Sequence, residues 1–377
     1  MKSITRASIK KIVSNGRNMM RNMMKERPGL ADSSRQVRIL DVAHAAGVSA
    51  ATVSRALSEP DKVRPETRRR VMETVRRLNY TPNEHARALR AGTARMVLAA
   101  VPNLYAGAFF SAVVNAIDAE LAANGYTMIT GSLEGAEEKT RRLVDLVYAR
   151  QIDGVIILAN CSGPLKGRSV LRAGVPVVAV SAELDEPGHP TVLIDDEACA
   201  IAQTRHLLDL GHRRLLYVGG PRGHYNEIHR YRGFRHAVRA ADLSSADTQR
   251  FEGDFTLASG VEAGRFFLSR RARPTGIVCA SDEMAIGFLK TVTAAGVKAP
   301  RDVSVVGFDD IEFAEFCEPA LTTIHQPRPL LGAIGARVLL QRLNGNRAND
   351  APIVIKGELI VRDSTDSMPT QRRGSSN

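Results

Sequence analysis

Nine histidines and four cysteines are the side chains here best suited to acid–base, metal or nucleophilic chemistry, and neither set is arranged for it. No two histidines stand at a metal-ligand spacing; His206 and His212, on or just after one helical segment, read as capping or solvent-facing residues. Cys161, Cys199, Cys279 and Cys317 are far apart, with no CxxC, which fits reduced thiols better than disulfides or a zinc site. HExxH, GxSxG and GxxxxGK(S/T) are all absent, and "VGGPRGH" at 218–224 lacks the GxGxxG spacing of a dinucleotide turn. The chain is therefore read as a non-enzyme with no cofactor and no metal. The groups it does supply in quantity are guanidinium donors for anions.

Those donors are concentrated at one end. Residues 1–95 hold 21 of the 52 Lys and Arg but 8 of the 40 Asp and Glu, a surplus of +13 against −1 in the remainder. A basic module joined to a neutral body is the charge pattern of nucleic-acid binding. Within it, 37–46 places Ile39, Val42, Ala43 and Ala46 on one helical face. Gly47-Val48-Ser49 then interrupts: Gly47 suits a left-handed helix end, and Ser49 suits the N-cap of a short helix over 50–57. Pro65 and Glu66 suit the first turn of a third helix, whose buried stripe is Val71, Val75 and Leu78, with Tyr80 beneath. Helix, tight turn and second helix is the geometry that sets one helix end-on in the DNA major groove. The groove-facing candidates are Ala50, Ala51, Thr52, Ser54 and Arg55. Of these, Arg55 alone can make a bidentate contact to guanine, and the alanines offer only methyl contacts. Ser49, Thr52, Arg64, Arg68 and Arg69 suit phosphates, which fix register without reading sequence.

From Met96 onward, strand-like runs (96–101, 126–130, 154–159, 175–180, 191–194) alternate with helical ones (109–123, 137–150, 197–210). A second series of strands (214–218, 276–280, 303–308, 321–324) follows, with helices at 258–270 and 284–295. Alternation of this kind implies parallel sheets covered by helices, and two series imply two similar α/β subdomains.

The run 39–83, "ILDVAHAAGVSAATVSRALSEPDKVRPETRRRVMETVRRLNYTPN", closely resembles the headpiece of the lactose-repressor (LacI/GalR) family. The resemblance extends through "VDLVYARQIDGVIIL", "HLLDLGHRRLLYVGGP", "RYRGFRHA", "GDFTLASG", "RPTGIVCASDEMAIG", "DVSVVGFDD" and "PALTTIHQP". It implies an all-α helix-turn-helix headpiece followed by an α/β effector domain of two Rossmann-like subdomains, similar to a periplasmic binding protein. It further implies a hinge helix that folds on operator DNA and lies in the minor groove, with a leucine wedged between bases. Asn83, Ala86, Leu89 and Arg90 match that segment, with Arg87 a further backbone partner. An apolar wedge unstacks bases at a few kcal/mol and is repaid by contacts to the bent duplex. Carried over residue by residue, the effector contacts fall on Phe109, Phe110, Asp195, His224, Arg230, Phe255, Asp282 and Asp309. Rings, carboxylates and an Arg fork suit a polyhydroxylated ligand, so a sugar or sugar acid is expected first and a nucleobase second. One departure stands out: Ala198-Cys199 replaces the usual glycine pair, which leaves the ligand's identity open.

The expected organisation is a disordered basic extension (1–36), a headpiece (37–82), a hinge (83–94), an effector and dimerisation domain (95–365) and a disordered tail (366–377). The effector domain divides into an N-subdomain (95–195 and 326–357) and a C-subdomain (196–325 and 358–365). Residues 1–25 hold no acid and no apolar core, so they read as a basic arm or an upstream start rather than a secretory signal. No run approaches 18 apolar residues, and a bacterial cytoplasmic location, on the nucleoid when DNA-bound, is expected. A periplasmic solute-binding protein would share the fold of 95–365 but has no use for 37–92. The polar tail lacks the family's tetramerising leucine repeat, so the expected assembly is a homodimer on operator DNA, with a small-molecule effector and no membrane partner.

Overall fold

The computed structural model describes residues 37–81, 93–102, 107–133, 137–158, 168–184, 186–244, 246–346 and 351–368. The chain divides into two compact units, 1–87 and 88–377.

In the first unit three helices, α1 (Ile39–Ala46), α2 (Ala50–Ser58) and α3 (Pro65–Arg77), pack on one another, with a single 3-10 turn (Pro60–Lys62) between the last two. Their common core is small: Val42, Ala43, Ala46, Val53, Ala56 and Val71, ringed by half-buried Ile39, Val75, Leu78 and Tyr80. Gly47 adopts φ +62°, the left-handed conformation that ends α1, and Ser49 caps α2, as their residue types suggest.

The second unit contains two parallel sheets. The first runs in the order β11-β5-β4-β3-β1-β2: β1 (Met96–Ala100), β2 (Thr127–Gly131), β3 (Gly154–Ile157), β4 (Val177–Val180), β5 (Thr191–Ile194) and β11 (Ile353–Ile355). The second runs β7-β6-β8-β9: β6 (Leu215–Gly219), β7 (Thr248–Glu252), β8 (Gly276–Cys279) and β9 (Ser304–Val306). Every neighbouring pair in both is parallel. Their central strands are buried throughout, since parallel sheets are covered on both faces; this is why they read as unbroken apolar runs. Helices α4 (Ala108–Ala123), α5 (Glu137–Tyr148) and α11 (Arg328–Leu343) serve the first sheet, whose two faces form separate cores around Ile117 and Val147. Helices α6 (Asp196–Asp209), α7 (Tyr225–Ala240), α8 (Leu257–Leu268) and α9 (Asp282–Ala294) serve the second, around Tyr217, Phe234 and Phe288; α10 (Glu312–Phe316) follows β9. The chain passes between subdomains after β5, again between β10 (Thr323–His325) and α11, and again between β11 and β12 (Glu358–Ile360). Strands β10 and β12 pair antiparallel across these passages.

Strand orders 2-1-3 and 7-6-8 reverse direction beside β1 and β6, so each sheet opens a crevice at the carboxyl ends of its central strands. The residues that follow β1, β6, β8 and β9 are thereby placed at the mouth of one cleft. Helices α8 and α9 lie close enough that a Cβ on Gly260 would stand 2.2 Å from the carbonyl oxygen of Met284. A Gly260→Val variant is expected to lose about 1–3 kcal/mol in urea unfolding through overpacking. Gly223→Ala, with open space at its Cβ, is expected to leave the midpoint unchanged.

Candidate functional site

Two constellations emerge, one in each unit. On α2 the inward residues are Val53 and Ala56, which turns Ala51 and Arg55, one turn apart, towards solvent. The Ser49 hydroxyl accepts from the Thr52 amide at 3.1 Å, and the two hydroxyls lie 2.9 Å apart. Their capping role therefore coexists with any anion they hold. Ser54 is half-buried, its carbonyl accepting from Ser58, and Ala50 is half-buried beside the core. The Arg55 guanidinium donates to no described residue, so its fork is available. Asn83, Ala86, Leu89 and Arg90 fall outside the described residues.

The second constellation is built around Arg230, which α7 carries into the base of the cleft with 5% of its surface exposed. Its Nε donates to Asp196 at 2.7 Å and its Nη1 to the Ala280 carbonyl at 2.6 Å. The guanidinium lies 3.7 Å from the centre of the Phe308 ring, and Nη1 is 3.7 Å from Asp309. The second Asp196 oxygen accepts from Asn226 at 2.9 Å. Arg230 thus ties together the starts of α6 and α7 and the ends of β8 and β9. Neither Asp196, Asn226 nor Phe308 was among the sequence candidates; the signal available was the doubled Asp195-Asp196, of which the second member makes this pair. Asp195 caps α6 by accepting from Ala198 at 3.0 Å.

Asp282 is enclosed by protein groups. It has no exposed surface, and its oxygens accept from the Thr323 hydroxyl at 2.5 Å and the Ile311 amide at 2.9 Å. Burial, with the charge of Asp309 second, pushes its carboxyl well above the usual range. It fastens β10 to the second subdomain, and Gly307 is required beside it because a Cβ there would meet its carboxylate at 2.1 Å. Asp309, at φ +120°, accepts from Gln326 at 2.6 Å; burial raises its pKa to about 7 against the opposing charges of Arg230 and Arg328.

The remaining sequence candidates are of another kind. Phe109 and Phe110, at the start of α4, are half-buried and meet edge to face with centroids 5.1 Å apart. Phe255, at φ +67°, lays its ring over Gly220, where a Cβ would come within 2.1 Å of it, and packs edge to face on His224 at 5.2 Å. The His224 Nδ1 is buried without a partner among the described residues, and burial, then the nearby Arg230 charge, lowers the ring's pKa, so a neutral imidazole presents a donor or acceptor there. Beneath this loop Glu227 accepts from Tyr217 at 3.0 Å and the Gly220 amide at 2.8 Å and pairs with Arg250 at 2.8 Å, which pins the β6–α7 turn. Two residues that sequence reasoning did not single out reach across the cleft. Glu283, at the start of α9, accepts from the Ala108 amide at the start of α4, in space that only glycine at 107 leaves open. Arg328 donates to the Asp310 carbonyl at 2.7 Å and to that of Ala108 at 3.4 Å. Among the described residues no group of three or more His, Cys, Asp or Glu is placed to hold a metal ion, and no helix is long and apolar enough to cross a membrane.

A carboxyl whose folded pKa is about 7, against about 3.9 when unfolded, contributes stability present below pH 4 that is lost as pH rises through 7. Chemical denaturation of Asp309→Asn and the unaltered protein between pH 4 and 8 should show that loss reduced in the variant. Parallel curves would remove Asp309 from this role.

Residues 38–83 match the family described as bacterial regulatory proteins, lacI family, and 204–365 match a periplasmic binding protein-like domain. The chain is 33% identical over 330 residues to the HTH-type transcriptional repressor CytR of Escherichia coli K12, covering 87% of this chain and 96% of that one. Among solved structures it resembles a complex of the transcriptional regulator CelR with cellobiose (32% identity, 87% and 99% of the two chains, TM-score 0.66). It also resembles the Lac repressor dimer bound to operator and the anti-inducer ONPF (27% identity, 88% and 100%, TM-score 0.78).

Proposed function

This chain belongs to the lacI family of bacterial regulatory proteins and is a ligand-responsive DNA-binding transcription regulator rather than an enzyme, and we propose that its effector is a neutral polyhydroxylated molecule of the sugar class. The observation that carries the choice is the pairing of Arg230: it is buried and its charge is met by Asp196 at 2.7 Å, with Asp309 3.7 Å away, so it offers a ligand carboxylate no net positive charge. A neutral sugar needs rings to cover its apolar face and neutral or acceptor groups for its hydroxyls. Phe109, Phe110 and Phe255 supply the former; His224, Asp195 and Asp309 supply the latter. A sugar acid, equally expected from residue types, fits less well for the same reason. Arg230 and Asp282 belong on this reading to the frame of the pocket.

The assembly proposed is a homodimer, as the Lac repressor structure is, with one headpiece on each half of a pseudo-palindromic operator. Phe313 and Phe316 on α10, 64% and 76% exposed, are the apolar side chains that a second copy would cover. Residues 95–365 form the effector and dimerisation domain, and 83–94 the hinge, with Leu89 as the minor-groove wedge and Asn83, Ala86 and Arg90 beside it. Effector binding in the cleft shifts the relation of the two subdomains, hence of the paired hinges, so effector and operator affinities are reciprocally coupled.

With an operator selected from random DNA, Arg55→Ala is expected to cost about 1–3 kcal/mol of specific binding and to relax preference at one guanine. Leu89→Ala should weaken specific binding at least tenfold while sparing non-specific binding. Unchanged specific affinity in the second variant would remove the hinge role. For the effector, thermal shift with neutral sugars, sugar acids and purines is expected to reveal stabilisation by a neutral sugar, since a ligand binding only the native state must raise its melting temperature. Phe255→Ala should abolish that shift; stabilisation by a sugar acid alone would overturn the choice of ligand class.

A further inference from the structure

At the opposite end of the second sheet from the effector cleft, the residues just before β6 and β8 and the carboxyl ends of α8 and α9 enclose an open cavity of about 740 Å³. Four arginines line it: Arg214, Arg270, Arg271 and Arg273. The carboxylate among its lining residues, Asp302, is already engaged, both of its oxygens meeting Arg301 at 3.0 Å and one also the Lys298 amide at 2.9 Å. Elsewhere in this unit arginines are commonly ion-paired, as Arg172 is with Glu186, Arg222 with Glu252 and Arg337 with Glu120. Here the guanidinium groups of Arg214, Arg270 and Arg271 donate to no described residue.

Helix capping does not account for them. Helix α8 ends with its own backbone bonds, Ser269 to Arg265 and Arg270 to Phe267, and with a bond from the Ser269 hydroxyl to the Phe266 carbonyl at 2.7 Å; of the four arginines Arg273 alone adds one, to the Leu268 carbonyl at 3.2 Å. Two of the forks are instead laid against rings, Arg270 at 3.9 Å from the Phe266 centroid and Arg273 at 5.6 Å from that of Phe267, which restrains the stem and leaves N–H edges outward. Residues 96–377 as a whole carry a charge near zero, so four guanidiniums with no ion-pair partner among the described residues are a local concentration on one concavity. A cleft lined by one sign of charge focuses the field and gathers counter-ions, and planar arginine forks match phosphoryl oxygens bidentately.

We propose that this cavity is a second ligand site, distinct from the effector cleft, for a small molecule bearing two or more phosphoryl groups. Its volume lies in the range of small-molecule sites. Because it opens at the amino ends of β6 and β8, and the cleft at their carboxyl ends, the two sites do not compete.

The test is isothermal titration of the full chain with tripolyphosphate, at ionic strength matched with sodium chloride, against Arg270→Ala/Arg271→Ala. Both altered side chains are exposed, and an unchanged melting temperature verifies the fold. The basic headpiece also attracts polyanions, so the readout is the difference between proteins: the unaltered chain should show one additional class of site, weakened at least tenfold in the double variant. Arg214→Ala, from a separate loop, should weaken it as well. Indistinguishable isotherms would overturn the proposal. So would a chain that ignores tripolyphosphate but binds a polyglutamate peptide through these arginines, since the cavity would then serve an acidic protein segment.

Discussion

The buried pair of Arg230 and Asp196 is the constraint on which the sensing domain depends. Removing two charges from water costs several kcal/mol per ion, and their attraction alone does not reliably repay it. The pair survives because further groups answer it: Asn226 on the second carboxylate oxygen, the Ala280 carbonyl on Nη1, the Phe308 ring under the guanidinium and Asp309 close by. These partners come from the first turns of α6 and α7 and the ends of β8 and β9. The floor of the cleft on that side is therefore one rigid unit, and a conformational response has to be absorbed elsewhere.

The three passages between subdomains are where it can be absorbed. Asp282 fastens one of them, β10, through Thr323, and the β10–β12 ribbon joins it to another. Contacts that span the cleft mouth are of a weaker kind: Glu283 on the Ala108 amide, and Arg328 shared between the Ala108 and Asp310 carbonyls. Glu283 is held partly out of water, and burial raises its pKa even against the Ala108 amide that favours its charge. A ligand moves such an equilibrium only by its difference in affinity for the two arrangements.

Charge is organised differently in the two units. In the sensing domain, arginines paired with carboxylates at the surface add little stability, but they keep the unit near neutral, so that attraction to DNA resides in the basic N-terminal quarter. On the proposed reading, specificity there rests on few side chains. Ala51 and Arg55 share the outward face of α2, and an alanine reads little beyond a thymine methyl. On the proposed reading, much of the discrimination falls to Arg55 and to the cost of deforming the duplex.

What the sequence determined by itself was whatever local physics enforces. Gly47 and Ser49 took the backbone angle and hydrogen bond that their types favour, because both depend on residues within three or four positions. Strands buried on both faces, such as Gly154–Ile157 and Thr191–Ile194, appeared as unbroken apolar runs. Edge strand β7, Thr-Gln-Arg-Phe-Glu, is incompletely buried and carried no such signal, and the three-residue strands β11 and β12 exist only because neighbours pair with them. In the cleft, residue types marked Arg230, Asp282 and Asp309, but not what each does. Arg230 finds its carboxylate 34 residues away, and Asp282 its hydroxyl 41 residues away on a strand of the crossing ribbon. Only the tertiary structure decided that Asp282 is walled in with Thr323 and the Ile311 amide while Asp309 sits beside Arg230, because burial and hydrogen-bond direction belong to the packed assembly and not to spacing along the chain.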